Sequence, residues 1–306
     1  MSLRASELCE LCGIELAIVQ APMANNAPPA LAAAVSAAGA LGSVAGATLP
    51  AAELREAIRE VRATTDRPFA VNVFAPPYLR DETLDVVLDD RPQVCSFSFG
   101  ILDPAPLREN GIVTLGTATT AEEARALEQA GVDALVAQGA EAGGHRGSFL
   151  DGFPLVPLAE LVSACVAAVS IPVVAAGGIV DGAGIAAMLR LGAAGVSLGT
   201  AFLFTPEAGR PREHLEALRS LETVVTDAYT GRPMRAARTP VLEELMAGPP
   251  PLPFPEQRRV SAEKGPLFMG GTNAAGSREL PAAELVARLA AEAEKPGGSD
   301  ATMGVT

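Results

Sequence analysis

The sequence predicts an α/β fold, a TIM (β/α)8 barrel with a smaller irregular or helical domain inserted near the C-terminus. Two observations predict it. Short apolar runs alternate with helix-like segments over the first two hundred residues, which is the order of elements in such a barrel. At 306 residues the chain also has room for a barrel of about 250 residues and one further element.

Eight candidate strands carry this alternation. Several are continuously apolar, which is typical of parallel strands that are buried on both faces. They cover residues 16–21, 41–45, 69–74, 94–99, 112–116, 134–138, 172–176 and 195–202.

The segments between the strands carry signals for helix starts and ends. Pro50 opens a helix with apolar residues at spacings of three and four, and Asp181 begins another. Thr120 with Glu123 forms a capping-box signature, and Gly131 marks the end of that helix. Residues 104–110 predict only a short helix.

The pattern changes after Phe204, where prolines become frequent and the strand–helix alternation stops. We therefore predict a barrel over residues 1–204 and an appended lobe over the barrel mouth at 205–281. A C-terminal helix at 282–296 is expected to return to the barrel, and 297–306 to form a flexible tail.

Composition excludes several function classes. The net charge of −13 and the scarcity of aromatic residues argue against nucleic-acid binding. Only two histidines are present, so a barrel hydrolase with several histidine metal ligands is excluded. No phosphate-binding G-x-x-x-x-G-K-[ST] loop occurs.

Cysteine usage and hydropathy indicate a cytoplasmic protein. Cys9 and Cys12 form a C-x-x-C pair, but no second pair or spaced histidine completes a zinc site, so we expect structural thiols and no metal. Residues 16–52 carry no charge, yet prolines and polar side chains interrupt them too often for a membrane span. The N-terminus also lacks the apolar run of a signal peptide.

Polar or glycine-rich clusters follow several of the candidate strands. In a barrel of this kind, functional loops follow the carboxyl ends of the strands, and phosphate sites often lie after the last two. Gly177 and Gly178 follow the seventh candidate strand, and 197–200 lies on the eighth. These positions predict a phosphate site for a phosphosugar, a nucleotide or FMN, since glycines and a helix N-terminus favour phosphate.

His145 is the candidate catalytic residue. It lies in a glycine-rich loop after the sixth candidate strand, beside Glu141 and Arg146. Because histidine changes charge near neutral pH, it can exchange a proton or donate a hydrogen bond to an anion. His214 has no comparable surroundings in the sequence.

Several of these motifs together resemble the nitronate monooxygenase family. They lie in the same order as in that family over roughly residues 8–240. They are Gln20-Ala-Pro-Met23, Leu31-Ala-Ala-Ala-Val-Ser36 with Gly39-Ala-Leu-Gly42, Pro68-Phe-Ala-Val-Asn72, Gln138-Gly with Glu141-Ala-Gly-Gly-His-Arg-Gly147, and Ala175-Ala-Gly-Gly-Ile179.

This resemblance implies an FMN-dependent barrel that oxidises alkyl nitronates by O2 to a carbonyl compound and nitrite. The resemblance also implies that the partners are O2 and a nitronate or related small anion, and it is compatible with a homodimer. It implies a ring-lining backbone at 21–23, hydrogen bonds to the flavin from Asn72 and Gln138, and a substrate-facing His145. The implied cofactor-binding residues are Ala21, Pro22, Met23, Asn72, Gln138, Gly143, Gly177, Gly178, Ser197, Leu198, Gly199 and Thr200.

Two departures from the family pattern bear on the substrate. Asn25 and Asn26 stand where the family commonly has glycines, and the segment 75–93 is shorter than usual. The main alternative is an FMN-dependent enoyl-thioester reductase that uses NAD(P)H. A flavin-free barrel lyase or isomerase and a non-catalytic flavin-binding protein are the further alternatives.

Overall fold

A computed structural model describes residues 2–150 and 152–295. Its strands are β1 Ile18–Gln20, β2 Gly42–Ala45, β3 Phe69–Phe74, β4 Val94–Ser98, β5 Val113–Ala118, β6 Ala134–Gln138, β7 Gly144–His145, β8 Val173–Ala176, β9 Gly195–Leu198, β10 Thr223–Thr226 and β11 Met234–Ala237. The tail predicted at 297–306 lies outside the described residues.

Eight parallel strands form the barrel, as predicted. Each pairs with its neighbours in the order β1-β9-β8-β6-β5-β4-β3-β2. A parallel bridge between Val19 and Leu41 then joins the two ends of this sheet. The side chains of β1, β2, β8 and β9 are all buried, which explains why their sequences do not alternate between apolar and polar residues.

Helices cover the outside of the barrel and build much of the remaining chain. They are α1 Glu7–Cys12, α2 Pro29–Ala37, α3 Ala51–Thr64, α4 Asp81–Asp90, α5 Ala105–Glu109, α6 Ala121–Gln129, α7 Leu158–Ala168, α8 Gly182–Arg190, α9 Thr200–Leu203, α10 Arg212–Ser220, α11 Pro240–Met246, α12 Glu256–Ala262 and α13 Ala282–Ala293. Among the described residues, no helix combines the length and apolarity that a membrane crossing requires.

The eighth candidate strand was predicted too long. β9 ends at Leu198, and Thr200 already begins α9. The chain leaves the extended conformation at Gly199, where φ is −105° and ψ is −68°. The apolar residues that follow are buried in a helix turn, and short apolar runs do not distinguish these two structures.

The capping box at α6 forms only in part. The Thr120 side chain accepts a hydrogen bond from the Glu123 N–H, as predicted. The Glu123 carboxylate does not return to Thr120; it accepts from the backbone and hydroxyl of Thr119 and from the N–H groups of Phe149 and Leu150. Glu123 therefore anchors the chain that follows the His145 loop.

The segment 205–281 contains a small antiparallel sheet that the sequence did not predict. β10 pairs with β11, and β11 pairs with β7 from the loop after β6. The boundaries at 204 and 281 stay predictions. The lobe and the barrel loop after β6 both contribute strands to this sheet. After the lobe, α13 packs against α8 so closely that a Cβ on Gly182 would lie 2.3 Å from the Cβ of Glu292.

Candidate active site

One large cavity opens at the carboxyl ends of the barrel strands, with a volume of about 450 Å³. This volume lies in the range of about 300–1,000 Å³ that small-molecule sites occupy. All thirteen predicted site residues line it: Ala21, Pro22, Met23, Asn72, Gln138, Gly143, His145, Gly177, Gly178, Ser197, Leu198, Gly199 and Thr200. The structure thus brings the predicted residues together, while their individual roles stay predictions.

Close backbone contacts define one end of the cavity, which we call the glycine end (Gly143, Gly177, Gly178, Gly270 and Gly271). Gly177 and Gly178 have φ values of +132° and +65°, which side chains rarely adopt. A Cβ on Gly143 would lie 2.4 Å from the carbonyl carbon of Gly270, and one on Gly177 would lie 2.9 Å from the Ala142 nitrogen. Only glycine lets these segments approach so closely.

The segment 270–273 is tied to the glycine end by hydrogen bonds. The Gly271 N–H donates to Thr200 Oγ1 at 2.9 Å, and the Thr272 N–H donates to the Glu141 carbonyl at 3.1 Å. Asn273 Nδ2 donates to the Gly178 carbonyl at 2.7 Å. Because Thr200 accepts from Gly271, its hydroxyl hydrogen is left for a ligand in the cavity. Sequence analysis did not predict that this segment lines the site.

The N-terminus of α8, the helix that follows Gly177 and Gly178, is already occupied by side chains of the protein. The N-cap of α8 is Asp181, whose carboxylate accepts from the Gly184 N–H at 2.8 Å. Glu292 of α13 accepts from the Gly182 N–H at 3.3 Å. Two carboxylates therefore cap α8, so the start of this helix is not free to bind an anion at the glycine end.

Gln138 and Asn72 line the cavity, but protein partners take up much of their hydrogen-bonding capacity. Gln138 Nε2 donates to the His145 carbonyl at 2.9 Å, and its Oε1 accepts from the Gly147 N–H at 2.8 Å. Asn72 Nδ2 donates to the carbonyl and hydroxyl of Ser96, both at 3.1 Å. Gln138 thus shapes the loop that carries His145, and Asn72 retains Oδ1 as an acceptor for a ligand.

Asn25 and Asn26, the departures from the family pattern, both line the cavity. Asn25 has a φ of +61°, a left-handed conformation that asparagine tolerates better than most residues. Arg210 donates to the Asn25 carbonyl at 3.0 Å and to Asn26 Oδ1 at 2.7 Å. These hydrogen bonds from Arg210, a residue of the lobe, therefore stabilise the turn although it contains no glycine.

His145 lies on β7, two residues beyond Gly143, and side chains from the barrel and the lobe surround it; we call this part of the cavity the His145 end. His145 Nε2 is 3.1 Å from Thr230 Oγ1. The rings of Phe99 and Phe254 pack edge-to-face against it, with centroid distances of 6.0 Å and 5.3 Å. Burial, together with the nearby positive charges of Arg232 and Arg258, lowers the pKa of His145 to about 3. The imidazole is therefore neutral at physiological pH.

Comparison with known proteins identifies this architecture. The family model described as nitronate monooxygenase matches residues 5–83 and 78–292. The chain belongs to the nitronate monooxygenase family. Its members are flavin-dependent oxidoreductases, so the chain is an enzyme, and the resemblance seen in the sequence is confirmed.

Individual relatives of this family member cover nearly its whole length. A nitronate monooxygenase of Pseudomonas aeruginosa is 40% identical over 92% of this chain and 97% of its own length. The crystal structure of a nitroalkane oxidase from Streptomyces ansochromogenes is 40% identical, with a TM-score of 0.87 over 94% of this chain and 97% of that one. A structure of FabK from Thermotoga maritima is 32% identical, with a TM-score of 0.82 over 95% and 96%.

Arg146 follows His145 directly in the sequence but does not reach the cavity of this nitronate monooxygenase family member. Its side chain is fully buried, does not line the cavity, and donates to the carbonyls of Gly139 at 2.7 Å and Gln138 at 2.9 Å. Successive side chains of an extended segment point to opposite sides, so neighbours in sequence are separated in space. Arg146 stabilises the loop behind the site.

The positive charges near His145 come from the lobe instead. Arg232 lies 4.0 Å over the ring of Phe99, and its Nε donates to the Arg146 carbonyl at 3.2 Å. Arg258 of α12 is exposed and lines the cavity together with Tyr229. No periodic pattern in the sequence marks these residues, so sequence reasoning missed them.

Several other residues considered in the sequence lie apart from the cavity. His214 is buried and stacks on Phe268, with ring centroids 4.9 Å apart. Cys9 and Cys12 are buried free thiols on α1, and burial raises the pKa of Cys12 to about 12. Within residues 2–150 and 152–295, no group of three acidic, histidine or cysteine side chains could hold a metal ion.

Proposed function

We propose that this enzyme oxidises alkyl nitronates, and neutral nitroalkanes, by O2 to a carbonyl compound and nitrite with FMN as its cofactor. The observation that carries the proposal is that one cavity is lined both by the backbone-built glycine end and by a neutral histidine. The names of the relatives, nitronate monooxygenase and nitroalkane oxidase, support the same chemistry.

The glycine end fits the phosphate of FMN. Gly177 and Gly178 bring backbone within reach of a ligand, and Thr200 retains a hydroxyl hydrogen to donate. The sequence also lacks the G-x-G-x-x-G fingerprint expected for a dinucleotide pyrophosphate. We propose that these residues hold the phosphate, with the flavin ring toward Ala21–Met23. A bound FMN supplies the transfer of electrons from substrate to O2.

A nitronate anion needs local positive charge, because the protein carries a net charge of −13. Arg258 lines the cavity and is exposed, and its charge already acts on His145. The guanidinium of Arg232 is stacked on Phe99 and bonded to the backbone of the His145 loop, so it is less available. We propose that Arg258 attracts the anion to the His145 end.

A neutral nitroalkane must first lose its α-proton, and His145 is the candidate base. Its imidazole is neutral and therefore able to accept a proton. General-base catalysis contributes about 10²–10⁴-fold in rate when the pKa of the base lies near the operating pH, so the lowered pKa of His145 makes this range an upper bound. A nitronate arrives already deprotonated, so its oxidation does not require this step. We therefore expect His145 to be needed for the oxidation of nitroalkanes but not for the oxidation of nitronates.

Analysis of the purified protein tests the cofactor and the reaction together. We expect a yellow protein that releases FMN on heating, consumes O2 with a nitronate and produces nitrite. Release of FAD would contradict the FMN assignment. A colourless protein would favour a flavin-free lyase or isomerase. NAD(P)H-dependent reduction of an enoyl thioester, without nitrite formation from nitronates, would favour the reductase alternative.

A further inference from the structure

Thr230 lies behind His145 in the connection between β10 and β11 and is fully buried. Its hydroxyl donates to the carbonyl of Arg232 at 2.9 Å. The same oxygen lies 3.1 Å from Nε2 of His145. A threonine hydroxyl has one hydrogen and two lone pairs. Having donated to Arg232, it can only accept from the histidine.

This arrangement determines which nitrogen of the neutral ring carries the proton. If Thr230 accepts, Nε2 must carry the hydrogen and Nδ1 must carry the lone pair. Nδ1 has no hydrogen-bond partner within residues 2–150 and 152–295. In the opposite tautomer, the hydroxyl would turn to Nε2 and leave the Arg232 carbonyl without this donor, which is unfavourable inside a protein.

The backbone around Thr230 keeps the hydroxyl in place. The Thr230 and Gly231 N–H groups both donate to the Asp227 carbonyl, at 3.1 Å and 2.7 Å. Gly231 has a φ of +80°, and a Cβ there would lie 2.2 Å from the Leu252 carbonyl oxygen. The turn is therefore packed against the segment that carries Phe254, one of the two rings beside His145.

We propose that Thr230 is a positioning residue that holds His145 as the Nε2–H tautomer, so that the Nδ1 lone pair serves molecules in the cavity. The lobe thus sets the proton-accepting atom of a histidine that belongs to a barrel loop. The kinetic consequence rests on the proposed nitroalkane chemistry, whereas the tautomer itself does not.

Nitrogen NMR of the flavin-loaded protein tests the tautomer directly. The chain contains only His145 and His214, so ¹⁵N-histidine labelling gives two ring systems, and His145→Asn assigns them. We expect the wild-type His145 signals to show protonated Nε2 and bare Nδ1. Thr230→Val, which replaces the hydroxyl by a methyl, should shift the population toward Nδ1–H. Thr230→Ser should restore the wild-type pattern.

Turnover provides a second readout. Thr230→Val should lower kcat for a neutral nitroalkane by about tenfold or more, up to the full general-base contribution of about 10²–10⁴-fold. The KM of Thr230→Val for the nitroalkane and its turnover of the nitronate should change little. Thr230→Ser should recover kcat for the nitroalkane.

Two results would overturn the positioning role: a wild-type spectrum with Nδ1–H, or an unchanged His145 tautomer in Thr230→Val. The wild-type spectrum decides even if Thr230→Val fails to fold. If the wild-type protein turns over no nitro compound, the proposed function fails, and the NMR result still decides the role of Thr230.

Discussion

The two ends of the cavity are built in different ways. The glycine end consists of backbone from the loops after β6 and β8 and from 270–271, and residues 270–273 bond to it through backbone and amide groups. The His145 end consists of side chains, with aromatic rings around an imidazole and arginines supplied by the lobe. Backbone groups suit the cofactor, which is the same in every turnover. Side chains can be substituted, so they suit the recognition of a particular substrate. We therefore expect mutations at one end to remove the cofactor and mutations at the other to change selectivity.

The largest effect is expected for Gly178→Glu. The substitution forces a side chain onto a φ of +65° and places its Cβ 2.9 Å from the Cβ of Glu141. It also adds a carboxylate beside the proposed phosphate. Like charges roughly 4 Å apart repel by about 4 kcal/mol at an effective dielectric constant of 20, or about a thousandfold in affinity. The purified variant should lack visible flavin absorbance.

Gly111→Glu is the matched control for that substitution. Gly111 has a similar φ of +72°, but nothing lies within 4 Å of a Cβ there. It should show the cost of backbone strain alone and keep its flavin. If Gly178→Glu retained flavin at the wild-type ratio, the glycine end would not be the phosphate site.

His145→Asn should keep FMN and nitronate oxidation but lose nitroalkane oxidation by up to about 10²–10⁴-fold, because asparagine cannot act as a base near neutral pH. The measurement is kcat for a nitroalkane and its nitronate in the same preparation. His214→Asn is the control, because His214 is buried against Phe268 outside the cavity. It should leave the ratio of the two rates unchanged. Equal loss on both substrates in His145→Asn would contradict the selective role.

Arg258→Gln should raise KM for a nitronate by up to about fivefold, since an exposed charge contributes at most about 1 kcal/mol. KM for a neutral nitroalkane should change less. Arg259→Gln is the control, because Arg259 is the exposed neighbour on the same helix and does not line the cavity. An identical effect of the two variants would show that net charge, rather than position, attracts the anion.

A separate effect is expected on the pH dependence of stability. In the folded protein the pKa of His145 is about 3, compared with 6.5 for an unperturbed histidine. Between these values the unfolded chain binds more protons at this position, so His145 lowers the free energy of unfolding as the pH falls. Denaturant titrations of His145→Asn should lose stability less steeply from pH 6.5 toward pH 3 than the wild type. Parallel curves would contradict a His145 that stays neutral in the folded protein.

The barrel loops of the glycine end could be located from the sequence because their signals are local, whereas residues 270–271 were not predicted to line the site. Gly177 and Gly178 directly follow a recognisable strand, and parallel strands bring such positions to the same end of a barrel. The His145 end depends on contacts between distant residues. Thr230 lies 85 residues from His145 and meets it only because β7 joins a sheet in the lobe.

Arg146 and Glu123 show a related limit. The motifs around them were recognised, but their partners depend on tertiary structure. The Glu123 carboxylate binds Thr119 and the backbone at 149–150 rather than the N-cap residue of α6. Arg146 points away from His145. A charge beside a histidine in sequence does not specify on which side of the chain it lies.

Anaerobic mixing tests the proposed reaction most directly. The flavin-loaded protein is mixed without O2 with a nitronate, with NADH or with NADPH, and the visible flavin absorbance is followed. We predict that the nitronate bleaches the flavin rapidly, that neither nicotinamide does so on the same timescale, and that admitting O2 restores the colour. Rapid bleaching by NADH or NADPH with none by any nitronate would contradict the proposed function.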